Sequence, residues 1–133
     1  MTTSFEQVAE ACTFASDAGT LTFPQVVGKL MEVGVERYLA DLTRGQKSYY
    51  LANGQSHVVA SAPLGALAAE QFDAAGIEAA IRASQARAMT YAQFCEAIAA
   101  AGCVGYVVSL AGRRAVYFGR TGETHVEPFP RAP

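Results

Sequence analysis

The sequence predicts an α+β fold made by tandem duplication of one unit: a helix, a second helix and a three-stranded meander, with an antiparallel sheet carrying the helices on one face. Three observations carry this. Shifting the chain by 68 residues against itself, without a gap, gives nine identities over the 37 positions from Thr22 to Val58, where ordinary composition gives roughly 6–8% by chance. Those identities include Thr22 with Thr90 and Gln25 with Gln93, which start a helix twice, and Gly34 with Gly102, which end it twice. Beyond each glycine the apolar period shortens, the change that separates an amphipathic helix from a strand. The expected organisation is a single domain over 1–133 containing two pseudo-symmetric repeats, about 1–61 and 69–129.

The first helix of each unit is an alanine-rich stretch, 5–18 and 72–88, in which Glu10, Ala15 and Ser16 match Glu78, Ala83 and Ser84. The second helix begins at Thr22-x-x-Gln25 or Thr90-x-x-Gln93. Both are capping boxes, in which the Thr hydroxyl accepts from an orphan helix N–H and the Gln side chain reaches back. Phe23, Val26, Val27, Leu30 and Met31, like Tyr91, Phe94, Cys95, Ile98 and Ala99, then recur at the spacing of one buried helix face. Gly34 and Gly102 sit where a left-handed residue closes a helix. Strands follow at 35–42, 46–52 and 55–60, and again at 103–110, 114–120 and 123–127. Asn53-Gly54 and Thr121-Gly122 are predicted as two-residue hairpin turns. Pro128, Pro130 and Pro133 are poor ladder residues, so the last strand is expected to stop near Glu127. The apolar linker 62–69, with Pro63 and Gly65, is expected to lie against the protein.

Composition excludes several classes of function. With 51% hydrophobic residues and a net charge of -2 the chain is not disordered. A pI of 5.6 leaves no excess cation to displace counterions from phosphates, so no nucleic-acid partner is expected. No apolar run approaches the roughly 20 residues of a membrane helix, and Met1-Thr-Thr-Ser-Phe-Glu does not read as a signal peptide. Cys12, Cys95 and Cys103 are an odd set without Cys-x-x-Cys spacing, which predicts reduced thiols in the cytoplasm.

Two-residue turns would set Tyr50 opposite His57 and Phe118 opposite His125, and three-residue first connections would place Tyr38 beside Tyr50 and Tyr106 beside Phe118. The candidate binding residues are therefore Tyr38, Tyr50, His57, Tyr106, Phe118 and His125, one aromatic-histidine row per repeat. If the helices cover this face, the rows are core, and any site moves to the exposed loops around Arg120 and Glu123. Glu123, His125 and Glu127 alternate on one strand, so two neighbours could converge on a cation but all three hardly could. No metal and no cofactor is expected. Cys95 and Cys103 read as core residues. The first functional expectation is a non-catalytic module, monomer or homodimer, binding a small molecule or a protein partner between its repeats. The alternative is a small enzyme with His57 or His125 as general base, assisted by Arg120 or Glu123.

The stretches Tyr91-Ala-Gln-Phe-Cys-Glu, Ala101-Gly-Cys-Val-Gly-Tyr and 114–130, together with 23–41, resemble the YbcV-like family of uncharacterised bacterial proteins, often labelled putative phage envelope proteins. The resemblance spans nearly the whole chain. It implies no known activity or site residues; the envelope label implies a structural role.

Overall fold

The structure, a computed structural model, describes residues 4–61 and 67–130. Its elements run α1 (Phe5–Ala18), α2 (Phe23–Glu32), β1 (Val35–Asp41), β2 (Gln46–Leu51), β3 (Ser56–Ala60), α3 (Ala74–Gln85), α4 (Tyr91–Ala100), β4 (Cys103–Ser109), β5 (Arg114–Gly119) and β6 (Thr124–Pro128). The helix, helix, three-strand order occurs twice. All six strands join one antiparallel sheet in the order β3-β2-β1-β4-β5-β6. Strand β6 runs one residue past its expected end, with Pro128 opposite Arg114, because an edge strand tolerates a proline.

Local chemistry explains the boundaries. Thr22 and Thr90 both complete their capping boxes with Gln25 and Gln93, and Ser4 with Gln7 adds a third at α1. Gly34 and Gly102 take φ of +86° and +91°, leading each second helix into its strand. Helix α3 starts at Ala74 rather than at 72, because the Asp73 side chain caps it by accepting from the Gly76 N–H.

The repeats meet at β1 and β4. Leu39 pairs with Val107 at the centre of that ladder, and these two residues match under the 68-residue shift, so an approximate two-fold axis passes between them. Each strand carries a bulge, at Glu36 and at Val104. The bulge carbonyls accept the N–H groups of Leu110 and Leu42 at 2.8 and 3.1 Å, extending the seam symmetrically.

Alternation along the strands gives the sheet one covered and one open face. Tyr38, Ala40, Lys47, Tyr49, Val59, Tyr106, Val108, Ala115 and Tyr117 are buried beneath the helices, where they join Leu30, Ile77, Ile98 and Phe94 in the core. Of the expected linker, 62–66 lies outside the described residues. Beyond it Leu67 is exposed, while the Ala68 carbonyl accepts from Arg120 and the Ala69 N–H donates to the Ala99 carbonyl.

Two predicted turns are replaced by longer ones. At Asn53-Gly54 only Gly54 has positive φ, +91°; its N–H donates to the Leu51 carbonyl, and the Leu51 N–H donates to the Gln55 carbonyl. This is a three-residue loop with a left-handed glycine at its end rather than a two-residue turn, which needs positive φ at both central residues. Gly122, with φ of +83°, repeats it. The first connection is also longer, since Asp41 pairs with Gln46 across four residues. Each change moves the register by one.

Candidate functional site

Because side chains alternate with a period of two, a one-residue slip turns a residue to the other face. Tyr49, not Tyr50, stands opposite both Tyr38 and His57, and Tyr117, not Phe118, stands opposite both Tyr106 and His125. The pairings expected for Tyr50 and Phe118 are therefore corrected: both residues lie on the open face. There the Arg37 guanidinium sits 4.4 Å from the Tyr50 ring centre, and Phe118 lies across Gly105, where an added Cβ would meet it at 3.0 Å.

The helices cover the face that carries the rows, which makes the four tyrosines largely core. Tyr38 and Tyr49 lie 5.1 Å apart with rings tilted 36°, and Tyr106 and Tyr117 lie 5.1 Å apart at 38°. They form the floor of a cleft of about 930 Å3. Its walls come from the C-terminal ends of α1 and α3, the N-terminal ends of α2 and α4, and the tail after β6.

The polar partners of this floor differ between repeats. Tyr49 Oη shares a 2.6 Å hydrogen bond with Thr13 Oγ1, whose hydroxyl also reaches the Ala9 carbonyl. Tyr106 Oη shares a 2.7 Å bond with Tyr91 Oη. Lys47 is only 4% exposed, and its ammonium lies 4.2 Å from the centre of the Tyr91 ring. Among the described residues the structure gives no hydrogen-bond acceptor to Lys47 Nζ and no partner to the hydroxyls of Tyr38 and Tyr117. No fully buried side-chain nitrogen or oxygen among them lacks a partner, so these three atoms open onto the cleft that their residues line.

Burial dominates the titration of these groups. It pushes Lys47 below the usual lysine range, opposed by the negative charge of Asp17. It pushes Tyr38, Tyr49, Tyr91, Tyr106 and Tyr117 above the usual phenol range. All three thiols are free, buried and raised, Cys103 to about 11, so none has the depressed value of a nucleophile.

The histidines stand at the rim of the sheet, away from the cleft lining. His57 Nε2 bonds Glu10 Oε1 at 3.1 Å, and His125 Nε2 bonds Glu78 Oε2 at 2.9 Å. Both pairs span 47 residues and match under the repeat shift, so each fastens the first helix of its unit to the edge strand. Strand alternation does bring Glu127 beside His125, at 3.6 Å, whereas Glu123 turns to the Thr121 hydroxyl. Donor atoms of Glu78, His125 and Glu127 lie within 4.8 Å of one another and could chelate a divalent cation. The Arg82 guanidinium already bridges Glu78 and Glu127, supplying positive charge there. Arg120 contacts the Ala68 carbonyl at 3.3 Å on an exposed turn.

Sequence reasoning missed Tyr49, Tyr117 and Lys47. The signal for the tyrosines was present: Tyr49 and Tyr117 are identical under the shift, whereas Tyr50 matches only a phenylalanine. Nothing marked Lys47, whose counterpart is Ala115.

A duplicated helix-pair and meander unit, its halves flanking an aromatic-floored cleft, is the class of protein that the fold and site define. The chain belongs to the family described as protein of unknown function (DUF1398), which it matches over residues 11–127. No curated protein matches the sequence.

Proposed function

We propose that the protein is a non-catalytic module that holds a small planar organic anion, of the aromatic carboxylate class, in the cleft between its repeats. The observation that carries this is Lys47. A buried ammonium with no carboxylate in direct contact is costly; here Asp17 acts on it only through space, and its close partner is the face of Tyr91, worth about 0.5–2 kcal/mol. An anion entering the cleft would complete its coordination. The N-terminal ends of α2 and α4 add positive field, offset by the C-terminal ends of α1 and α3 that wall the same cleft, so the ammonium supplies the anion preference and the hydroxyls of Tyr38 and Tyr117 would orient the ligand. Ring faces supply contact area at low entropic cost. Glu127 also lines the cleft, but Arg82 holds it at 3.0 Å.

The enzymatic alternative, His57 or His125 as general base, keeps one supporting feature, the carboxylate behind each ring; neither histidine lines the cleft. The buried free thiols support a reducing, cytoplasm-like compartment. YbcV-like membership belongs to the same proposal and adds no activity to it.

The test is a thermal-shift and NMR titration with benzoate and hydroxybenzoates, using benzamidine as a cationic shape control. The carboxylates raise the melting temperature and shift Lys47 and tyrosine signals; benzamidine does not. Lys47→Met leaves the fold intact, stabilises the free protein by about 1 kcal/mol and weakens carboxylate binding at least tenfold. Equal binding of benzamidine, or undiminished carboxylate binding by Lys47→Met, refutes the reading.

A further inference from the structure

The open face of the sheet carries a second pattern. Following the register across all six strands, Val58, Ser48, Leu39, Val107, Val116 and Val126 form one continuous transverse row. Five of these six are branched aliphatics. Val58 and Val126 at the two edges are 52% and 46% exposed, and the row has the same two-fold symmetry as the fold. The side chains that α1, α3 and α4 touch, such as Tyr49, His57, Tyr106 and His125, all occupy the alternate positions.

We propose that this face is a homodimer interface, closed by a second copy of the chain whose strands cross it about a two-fold axis lying along the aliphatic row. Charge selects this arrangement. Arg37 and Asp41 stand on β1 on either side of Leu39 and on the same face. A two-fold along the row sets Arg37 of each copy over Asp41 of the other and Leu39 over Leu39. The other in-plane axis, along the strands, sets Arg37 over Ser109 and Asp41 over Gly105, leaving Asp41 unmatched and Arg37 with only its own neighbour Glu36 as a partner. Aligned sheets rotate by about 30° as they pack. Arg37 and Asp41 are near the centre of the face, where that rotation displaces side chains least.

The area also suits a second copy. Six strands at about 4.8 Å spacing and about 17 Å length present roughly 500 Å2. Two copies together bury about 1,000 Å2, the threshold for a specific interface. Such a contact is isologous, and a symmetric patch satisfies it without leaving a free sticky surface.

Sedimentation equilibrium of the full chain at micromolar concentration should give twice the chain mass of 14.0 kDa. Val107→Glu, with its circular dichroism and melting temperature checked, should sediment as a monomer. Arg37→Asp and Asp41→Arg should each dimerise at least tenfold more weakly, because each places like charges opposite one another. Mixed in equal amounts, those two variants should form a heterodimer, since each charge then meets its opposite. A wild-type monomer overturns the proposal, as it would if the face served another protein or a ligand. A dimer that survives Val107→Glu, pairing through the β3 or β6 edge, also overturns it, and so does a mixture that stays monomeric.

Discussion

In the first repeat, the left-handed residues that close α1 and the β1–β2 loop are Gly19 and Gly45, with φ of +75° and +67°. In the second, the matching positions are Arg87 and Arg113, held at +57° and +52°. The backbone follows the same path in both. After α1, Gly19 and Thr20 donate to the carbonyls of Ser16 and Ala15; after α3, Arg87 and Ala88 donate to those of Ser84 and Ala83. The plan is therefore set by the hydrogen-bond pattern and the burial of the strands, and it tolerates a residue whose Cβ disfavours that conformation. The side chains around the cleft diverge more freely: Lys47 and Thr13 occur only in the first repeat, where the second has Ala115 and Ile81 at the equivalent positions, and Tyr91 occurs only in the second, where the first has Phe23.

The largest expected difference between repeats is at the glycines that lead into β1 and β4. An alanine Cβ at Gly34 meets nothing closer than Leu51 at 3.9 Å, whereas at Gly102 it would stand 2.3 Å from the Gln71 carbonyl oxygen and 2.8 Å from Phe72 Cα. Gly34→Ala costs only the conformational penalty of about 1–2 kcal/mol. Gly102→Ala must also push the Gln71–Phe72 backbone away, and urea denaturation should show about 3 kcal/mol or more. Equal costs would mean that the approach of that segment is not rigid.

Alkaline pH probes the comparison next. Tyrosines and cysteines with raised folded values keep their protons after the unfolded chain has lost its own. Their stabilisation is thus complete below the unfolded values, about 8.5 for Cys and about 10 for Tyr, and is lost as pH rises through the folded ones. Lys47 has the opposite sign: its lowered folded value makes stability rise with pH up to the unfolded lysine value of about 10.4. Unfolding midpoints should fall above about pH 9, and more steeply in Lys47→Met, which removes the opposing group from the first repeat.

Smaller effects follow from hydroxyls and turns. Tyr49→Phe removes the bond to Thr13 and should cost about 1 kcal/mol. Tyr117→Phe, whose hydroxyl opens onto the cleft, should be nearly neutral. Arg87→Gly and Arg113→Gly should each stabilise by about 0.5–1 kcal/mol in thermal melts, by relieving the left-handed strain.

The sequence made the repeat, its caps and its strands legible because these depend on short-range spacing: Thr22 and Gln25 cap the same helix that they mark. The cleft was harder to see. Asn53-Gly54 is compatible with a two-residue turn and with a three-residue loop, and only tertiary packing chooses. Choosing wrongly exchanges Tyr49 for Tyr50 and moves half of each row to the opposite face. The Glu10–His57 and Glu78–His125 pairs were visible as matching letters, but their contact depends on how α1 and α3 lie across the sheet. Lys47 had no signature, since a buried lysine differs from a surface one only in what surrounds it.

The seam between β1 and β4 has a consequence for ancestry. Two separate copies of one repeat could build the same six-stranded sheet by joining their β1 edges, but a symmetric pair must place every substitution at two sites. Fusing the copies makes that pairing intramolecular, at an effective concentration on the order of millimolar, and releases the halves from identity. A lysine can then appear on one side of the cleft and a tyrosine on the other without either being duplicated. An asymmetric binding site can evolve in this way inside a scaffold that keeps its two-fold symmetry.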